Sequence, residues 1–408
     1  MNPILNKLLE KGVKIPNPVS VEIGDEVNID RISGEGVILF SGCKIFGEST
    51  LILHHAKVGY QGPTTIENCQ IGPEVELHGG YFKESVFLKK SSMQTGAHIR
   101  EGTIFEEQAN GAHTVGLKQT ILFPFVTLGS LINFCDCLMA GGTSRKNHSE
   151  VGSSYIHFNF TPSQDKATPS LLGDVPRGVM LDQPPIFLGG QGGIVGPSRV
   201  EYGTVAAAGT ILRKDVLVPN QLVLGEGNKG GRVPFLASVY SNTQRVFTNN
   251  IIYIANLIAL MRWYEHVRSK FISKDFPEPL FKGLIQKLEQ AIEERIKRLS
   301  LYCDALKFAD EYRNKKPTWR KQQQELCEQW PETEVQMRSN RDYQGDIKFR
   351  DEFLRLFEKE IQSDDKNYIN TIQGLDKKIK GIGTQWLQSI VDSIQSMVLR
   401  RLPTFTQR

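Results

Sequence analysis

The chain has 408 residues, and its 49 Lys and Arg against 45 Asp and Glu leave a net charge of +4, too small to indicate nucleic-acid binding. Glycine and charge are unevenly distributed: 32 of the 37 glycines precede Ser241, whereas the last 168 positions hold 52 charged residues against 42 in the first 240. This asymmetry excludes one uniform domain. A hydrophobic content of 39% excludes disorder and collagen.

The longest apolar run, residues 251–261, is interrupted by Asn256 and is far shorter than the roughly 20 residues that a membrane span needs. The first ten residues lack the basic and apolar regions of an export signal, and six cysteines are too few for a disulfide scaffold. We therefore expect a cytoplasmic protein without a transmembrane segment. Cys135 and Cys137 are predicted to pack in the core rather than bind a metal, because no second CxC or CxxC accompanies them.

A short N-terminal segment, residues 1–18, precedes a broken repeat in which aliphatic or aromatic residues recur six apart. A glycine often follows the aliphatic residue, as in Ile23-Gly24 and Ile71-Gly72. The spaced positions are Ile23 and Ile29, Ile71 and Leu77, Ile99 and Phe105, Val115 and Ile121, and Leu128, Phe134 and Ala140. The pattern indicates a repeat with insertions between its units.

A 31-residue stretch, residues 157–187, departs from this spacing and contains five prolines. Ordered loops of this length are uncommon in compact domains and are often functional. We expect a loop excursion that carries binding residues.

Beyond residue 187 the repeat is unbroken over seven aliphatic positions, which are Leu188, Ile194, Val200, Ala206, Leu212, Val218 and Leu224. Neither a helix nor a half-buried strand has a period of six. Such a period describes a short strand and a turn per repeat, with one side chain from each repeat pointing to a common axis. We predict a β-solenoid from about residue 19 to about 226, in a domain assigned to residues 19–239. The alternative, a β-sandwich with turns every eight to twelve residues, leaves the unbroken run unexplained.

Helical spacing replaces the hexads in the last part of the chain, residues 240–408, which we predict to be an all-α domain of four to five helices. From Leu284 to Cys303, apolar residues recur at intervals of three and four residues. This spacing is typical of an amphipathic helix, here of about 30 residues. Pro277, Pro279, Pro317 and Pro331 are expected to separate the helices. The bundle is expected to pack on itself or on the end of the solenoid, and it offers a possible surface for a protein partner.

The stretch from Asn133 to Pro234 resembles the hexapeptide-repeat, left-handed β-helix transferases. Within them it is similar to the acetyltransferase half of the bifunctional N-acetylglucosamine-1-phosphate uridyltransferase/glucosamine-1-phosphate acetyltransferase. The motifs that carry the resemblance are Asn133-Phe134, His148 before Val151-Gly152, Asn159-Phe160 with Lys166 and Thr168, Phe187-Leu188-Gly189, Ala207-Ala208-Gly209-Thr210, Arg213-Lys214-Asp215-Val216 and Arg232-Val233-Pro234. The resemblance implies a left-handed parallel β-helix, an acetyl-CoA or other acyl-CoA donor, and a homotrimer.

The resemblance also implies roles for individual residues. His148 matches the catalytic base, and Asn159 matches a residue that contacts the amino-sugar substrate. Lys166 lies within one residue of a substrate-contacting lysine, and Arg145 is a candidate for holding a phosphate. On the donor side, Ala208 and Arg232 match coenzyme-binding positions and Gly190 replaces a serine there, so the predicted cofactor-binding set is Gly190, Ala208 and Arg232.

Departures from the family pattern keep other functions open. Phe123 stands where the family has a phosphate-binding arginine, and Cys137 or Leu138 where it has a second substrate lysine. The leading hypothesis is an acyl-CoA-dependent acyltransferase that acts on a sugar phosphate or nucleotide sugar in cell-envelope precursor metabolism. A non-catalytic scaffold that binds a sugar nucleotide, or regulates a nucleotidyltransferase, is a second hypothesis.

A third hypothesis is a UDP-N-acetylglucosamine pyrophosphorylase-related protein that acts only with a partner chain. Some 20 residues precede the first hexads, without a glycine-rich nucleotide loop. Nucleotidyl transfer by this chain alone is therefore not expected.

Overall fold

The computed structural model describes residues 3–225, 231–232, 242–307, 317–361 and 367–406. Val233, Pro234 and the predicted domain boundary between residues 239 and 240 lie outside the described residues. A helix, α1 (Pro3–Lys11), precedes the first strand. The strands that follow are β1 Glu22–Ile23, β2 Ile38–Leu39, β3 Lys44–Phe46, β4 Leu51–Ile52, β5 Lys57–Val58, β6 Thr64–Glu67, β7 Gln70–Ile71, β8 Glu76–Leu77, β9 Gly80–Lys83, β10 Ser85–Phe87, β11 Ser92–Met93, β12 Ala97–Ile99, β13 Thr103–Phe105, β14 Asn110–Gly111, β15 Val115–Leu122, β16 Thr127–Leu128, β17 Ile132–Met139, β18 Gly142–Ser144, β19 Asn147–His148, β20 Glu150–Val151, β21 Ile156–Phe158, β22 Ser170–Leu172, β23 Phe187–Leu188, β24 Gly193–Val195, β25 Arg199–Val200, β26 Val205–Ala206, β27 Ile211–Leu212 and β28 Leu222–Val223.

These strands build a parallel β-solenoid, as predicted, in which each full coil adds one strand to each of three ladders. The first face is the ladder β2-β5-β8-β11-β14-β16-β20-β23-β26-β28. The second face runs β1-β3-β6-β9-β12 and continues through the first halves of β15 and β17 to β21, β24 and β27. The third face runs β4-β7-β10-β13 and continues through the second halves of β15 and β17 to β22 and β25. The β18–β19 pair is the one antiparallel ladder among the described strands.

The hexad run explains the solenoid core, and its last two members do not follow the prediction. Leu188, Ile194, Val200, Ala206 and Leu212 are at most 3% exposed and point inward. Val218 and Leu224, by contrast, are 60% and 67% exposed. The phase slips after β27, where Val216 pairs with Val200 and Val223 packs against the core. The last turn therefore buries different residues from those that a strict period of six selects.

The predicted loop excursion 157–187 is in part wrong, because it contains a strand of the solenoid. β22 pairs with β17 on one side and β25 on the other, and its Leu172 is fully buried. Two insertions flank this strand. One is residues 159–169, which we call the acceptor loop, and the other is residues 173–186, which hold the short helix α2 (Val175–Gly178).

The remaining described helices are α3 Thr243–His266, α4 Glu278–Lys307, α5 Pro317–Ser339, α6 Ile347–Glu360, α7 Tyr368–Gly374, α8 Lys377–Leu399 and α9 Pro403–Thr406. The 30 residues of α4 confirm the predicted long amphipathic helix. Pro331 lies inside α5 rather than between helices, so the expected break there is wrong. A proline removes one intrahelical N–H donor, which the neighbouring turns of α5 tolerate.

The helices pack on one another, which is one of the two predicted arrangements, and they lie along the side of the solenoid rather than on its end. α4 contacts β7, β10 and β13, and α3 contacts β22, so both helices cover the third face. A Cβ at Gly283 of α4 would lie 2.7 Å from Gln70 Oε1 of β7, so glycine permits this close approach. Asn256, the interruption in the longest apolar run, accepts a hydrogen bond from Val175 N at 2.9 Å and anchors α2 to α3.

Acidic residues of the solenoid pair with basic and phenolic side chains of the helices at this interface. Arg268 Nη2 lies 2.6 Å from Glu107 Oε1, and Tyr264 donates its hydroxyl proton to Glu106. Burial raises the pKa of Glu106 from its ordinary value to about 7. The interface is therefore held in part by a carboxyl group that binds a proton within the physiological range.

We expect Glu106 to make folding stability depend on pH between about 4.5 and 7. A carboxyl whose pKa is raised by folding binds its proton more tightly in the native state, so its stabilising contribution is complete below pH 4.5 and is lost as pH rises through about 7. Urea unfolding of wild-type and Glu106→Gln protein should therefore show a difference that declines over this window and is constant above it. The exposed Glu360→Gln serves as the control. A constant difference from pH 4.5 to 8 would contradict the assignment.

Candidate functional site

His148 lies on the β18–β19 hairpin, at the corner between the third and first faces. Its Nδ1 is 2.9 Å from the carbonyl oxygen of Arg145, and its Nε2 is 3.5 Å from Glu150 Oε2. Because a carbonyl only accepts, Nδ1 carries the proton in this contact, and the neutral ring has its lone pair on Nε2. The side chain is 19% exposed. This arrangement suits an imidazole that accepts a proton through Nε2.

Arg145, in the same hairpin, is engaged by the solenoid wall. Its Nη1 lies 2.7 Å from Phe125 O, 2.9 Å from Thr127 Oγ1 and 3.1 Å from Gln108 O. Burial lowers the pKa of the guanidinium. These contacts fix the hairpin that carries His148 against the first face. A phosphate-binding role for Arg145 stays a prediction, and the observed contacts are those of an anchor.

Asn159 and Lys166 lie in the acceptor loop, at the corner between the second and third faces. Asn159 Nδ2 donates to Asp136 Oδ2 at 3.1 Å. Within the described part of the chain, neither Oδ1 of Asn159 nor the ammonium group of Lys166 has a hydrogen bond or ion pair. Both groups are therefore available to a ligand.

Gly190 and Ala208 lie at the corner between the first and second faces, in consecutive coils. Gly209 N donates to Gly190 O at 2.9 Å, which ties the two turns together. Ala208 is exposed, and a Cβ built at Gly209 meets no atom within 4 Å. The corner thus presents backbone that a slender ligand can approach. Arg232 is exposed, and Val233, which follows it, lies outside the described ranges.

One chain does not bring all of the predicted site residues together. His148, the Gly190 and Ala208 turn, and the acceptor loop occupy the three different corners of the solenoid. Four residues of nearly extended chain separate His148 from the first-to-second corner at Gly152, roughly 13 Å at 3.3 Å per residue. Within one chain, a full face of the solenoid therefore lies between any two of these three groups.

The sequence analysis missed two residues that hold the acceptor loop. Asp136 accepts the Asn159 amide and also pairs with Arg295 of α4, whose Nη2 lies 2.7 Å from Asp136 Oδ1. Both residues are recognisable in the sequence as charges at apolar positions. Asp136 lies between two cysteines in an apolar strand, and Arg295 lies among the apolar residues of α4. A charged residue on a buried face is seldom without a partner.

Cys135 and Cys137, on either side of Asp136, are buried free thiols whose pKa values are raised by burial. Across residues 3–225 and the other described ranges, no group of three or more His, Cys, Asp or Glu side chains is placed to hold a metal ion. His157 is buried between Cys135 O and Ser170 Oγ, 2.5 Å and 2.9 Å from its two nitrogens. Burial lowers the pKa of His157 to about 4, so it is a neutral core residue at pH 7.

The parallel β-solenoid and the ordered motifs resemble those of the hexapeptide-repeat transferases. Curated relatives match a little over half of the chain. The Bifunctional protein GlmU of Thermotoga maritima is 24% identical over 225 residues, 55% of this chain and 45% of the relative. That of Fervidobacterium nodosum is 27% identical over 231 residues, 55% of this chain and 44% of the relative. The chain thus matches about half the length of these relatives.

Solved structures with partial similarity include the UDP-N-acetylglucosamine acyltransferase from Campylobacter jejuni. It is 13% identical with a TM-score of 0.15, covering 52% of this chain and 70% of that one. LpxA from Acinetobacter baumannii is 12% identical with a TM-score of 0.19, covering 68% and 95%. No protein-family model matches the chain. None of the described helices is long and apolar enough to span a membrane.

Proposed function

We propose that this chain is an acyltransferase that transfers an acyl group from acyl-CoA to a sugar phosphate or nucleotide sugar. The similarity to GlmU proteins over 225 residues is the observation that carries the proposal. The orientation of His148 and the unpartnered groups of Asn159 and Lys166 support it. The exposed turns at Gly190 and Ala208 offer a surface for the coenzyme arm.

The chemistry needs a base at the acceptor nucleophile. His148 Nε2 accepts the proton of the attacking amine or hydroxyl while the nucleophile bonds to the thioester carbonyl carbon. The C–S bond then breaks, and the imidazolium returns its proton to the departing thiolate. The Arg145 carbonyl holds the productive tautomer, since it accepts only from Nδ1–H. Lys166 supplies a positive charge and Asn159 Oδ1 an acceptor for a hydroxyl of the sugar.

The three corners of one solenoid face different directions, which supports a site shared between two chains. We propose a homotrimer in which His148 of one chain faces the acceptor loop of its neighbour. The separation of these corners supports a shared site over a site within one chain.

Replacing His148 with alanine is expected to slow acyl transfer about 10²- to 10⁴-fold, since that is the usual contribution of a general base. Release of CoA thiol from acetyl-CoA, with glucosamine-1-phosphate or UDP-N-acetylglucosamine as acceptor, provides the assay. His55→Ala, a half-exposed histidine of an early coil, is the matched control. Equal turnover of the His148 variant and wild type would overturn the proposed role.

A mixing experiment tests the shared site. His148→Ala and Asn159→Ala chains, each inactive alone, are expected to regain part of the activity when refolded together, because some sites then combine intact halves. Absence of recovery, with mixed assemblies verified by mass, would contradict a site between chains.

A non-catalytic sugar-nucleotide scaffold is the second candidate. Engagement of the Arg145 guanidinium by the solenoid wall favours it, since that arginine then offers no phosphate contact. Binding of UDP-N-acetylglucosamine without any acyl transfer would favour the scaffold over the enzyme.

A further inference from the structure

We propose that helices α3 and α4 form a clamp on the acceptor loop, with Asn250 and Arg295 as positioning residues for Asn159 and Lys166. This inference rests on the proposed function, because it treats the acceptor loop as the part of the site that holds the sugar. It assigns a task within the site to the helical part of the chain, for which the sequence alone suggested a partner surface and no part in the site.

The first half of the clamp is a relay from α4 to Asn159. Arg295 Nη2 lies 2.7 Å from Asp136 Oδ1, and Asp136 Oδ2 accepts from Asn159 Nδ2 at 3.1 Å. The Arg295 and Asp136 side chains are only 2% and 5% exposed. A buried carboxylate held by arginine has a fixed direction, so it orients the Asn159 amide. The amide oxygen is thereby left free for a ligand.

The second half of the clamp joins α3 to the backbone beside Lys166. Asn250, which is fully buried, donates through Nδ2 to Ala167 O at 2.9 Å and to Val246 O at 2.8 Å. Ala167 directly follows Lys166, so this bond fixes the point from which the lysine side chain leaves the loop. Each of the two candidate ligand-binding residues is therefore held by a different helix.

Hydrogen bonds within the loop connect these two anchors. Thr168 Oγ1 donates to Asn159 O at 3.1 Å, which closes the loop across nine residues. Asp165 accepts from Thr161 Oγ1 at 2.8 Å and from Ala167 N at 2.9 Å. These bonds join the two ends and the middle of the loop, so both helices contact one connected unit.

The affinity of a site for its ligand depends on how precisely its binding side chains are held. Side chains that bind a ligand need to be held within about 0.5 Å of the productive geometry by their supporting contacts. If a clamp contact is removed, the free loop samples other positions, and a part of the binding energy is used to order it again. We expect weaker acceptor binding with an unchanged donor site, which lies on another corner.

The test uses the full-length chain with two clamp variants. Asn250→Ala removes the contact to Ala167 without leaving a buried charge. The double variant Asp136→Leu/Arg295→Met removes the relay and both of its charges, which avoids the cost of one unpaired buried ion. Arg298→Met, on the same helix, is the control, because its guanidinium pairs with Glu294, at 2.6 Å, and with no other carboxylate among the described residues.

Two measurements are made on each variant. Hydrogen exchange of residues 159–169 should become faster in both clamp variants and stay at the wild-type rate in Arg298→Met. The dissociation constant for UDP-N-acetylglucosamine or glucosamine-1-phosphate should rise about tenfold, the usual effect of losing one hydrogen bond to a buried polar group. In turnover, KM for the acceptor should rise while KM for acetyl-CoA stays unchanged, a split that general destabilisation would not produce.

The outcomes separate this inference from the proposed function. Wild-type protein that binds either probe, together with clamp variants that bind it equally well and exchange equally slowly, overturns the clamp alone. Wild-type protein that binds neither probe overturns the proposed function and the role of the clamp in sugar binding together. Faster exchange with weaker acceptor binding supports both.

Discussion

Replacement of Arg268 by methionine is expected to destabilise the protein by about 3–5 kcal/mol, the usual cost of removing one partner of a buried ion pair. The Arg268 side chain is 1% exposed, and its two terminal nitrogens lie 2.6 Å and 3.2 Å from the Glu107 carboxylate. Its guanidinium also lies over the rings of Tyr368 and Phe276, 3.8 Å and 4.7 Å from their centroids. The substitution therefore leaves a carboxylate without its partner and removes a cation that joins α7 to the solenoid.

Urea unfolding, followed by circular dichroism, measures this effect. Lys270→Met is the control, since Lys270 and Glu358 are 42% and 57% exposed and such pairs contribute at most about 1 kcal/mol. The double variant Arg268→Met/Glu107→Gln should regain part of the loss because no unpaired charge remains. A loss below 1 kcal/mol for Arg268→Met would show that water reaches Glu107 and that the pair is not a buried one.

Gly189→Ala is expected to destabilise the solenoid by about 3 kcal/mol, at the upper end of the usual cost of overpacking. A Cβ at this position would lie 2.4 Å from Ala208 N, 2.6 Å from Ala206 O and 2.6 Å from Ala207 C. All three atoms are backbone of the next coil, which is held by the bond from Gly189 N to Ala206 O at 2.9 Å. The neighbouring turn cannot yield without opening the first-face ladder.

Gly381→Ala is the control, and its expected effect on the free energy of unfolding has the opposite sign. Gly381 lies within α8, and a Cβ there meets no atom within 4 Å, so alanine should stabilise the helix by about 1 kcal/mol. Thermal unfolding monitored by calorimetry distinguishes the two directions. If both substitutions change the midpoint alike, the packing between successive coils at Gly189 is looser than the structure indicates.

The fold class could be predicted because its signal lies in short stretches of chain. A period of six leaves few alternatives to stacked coils, and Leu188 and Ile194 occupy the axis that this period requires. The slip after Leu212 could not be foreseen, since Val216 and Val218 are equally apolar and only the tertiary register selects between them. Patterning identifies candidates for burial, and packing decides among neighbours of the same polarity.

The position of the helices was harder to predict than their existence. An amphipathic stripe such as that of α4 indicates that one face is buried without naming the surface that buries it. The third face of the solenoid supplies that surface, and the polar pairs across it, such as Arg268 with Glu107, join residues 161 positions apart. Contacts between residues so far apart in the chain produce no periodic pattern in the sequence.

Individual site residues could be proposed from the motifs, whereas their supports could not. His148 and Asn159 stand in recognisable motifs, but the Arg145 carbonyl acts through its backbone and has no side-chain signature. Asp136 and Arg295 are each a charged residue at a position where the surrounding sequence pattern predicts an apolar one. Such violations indicate that a partner exists, and the structure alone identifies the partner.

The helices that cover the third face restrict how identical chains can meet around a rotation axis. Among the described residues, the helices α3 and α4 leave the first and second faces of the solenoid uncovered, and these faces share the corner that holds Gly190 and Ala208. In a cyclic arrangement that packs the first face of one chain on the second face of the next, this corner lies nearest the axis. The corner of His148 then meets the neighbour's acceptor loop. The covering helices would thereby permit head-to-tail contacts while blocking the arrangement in which third faces meet.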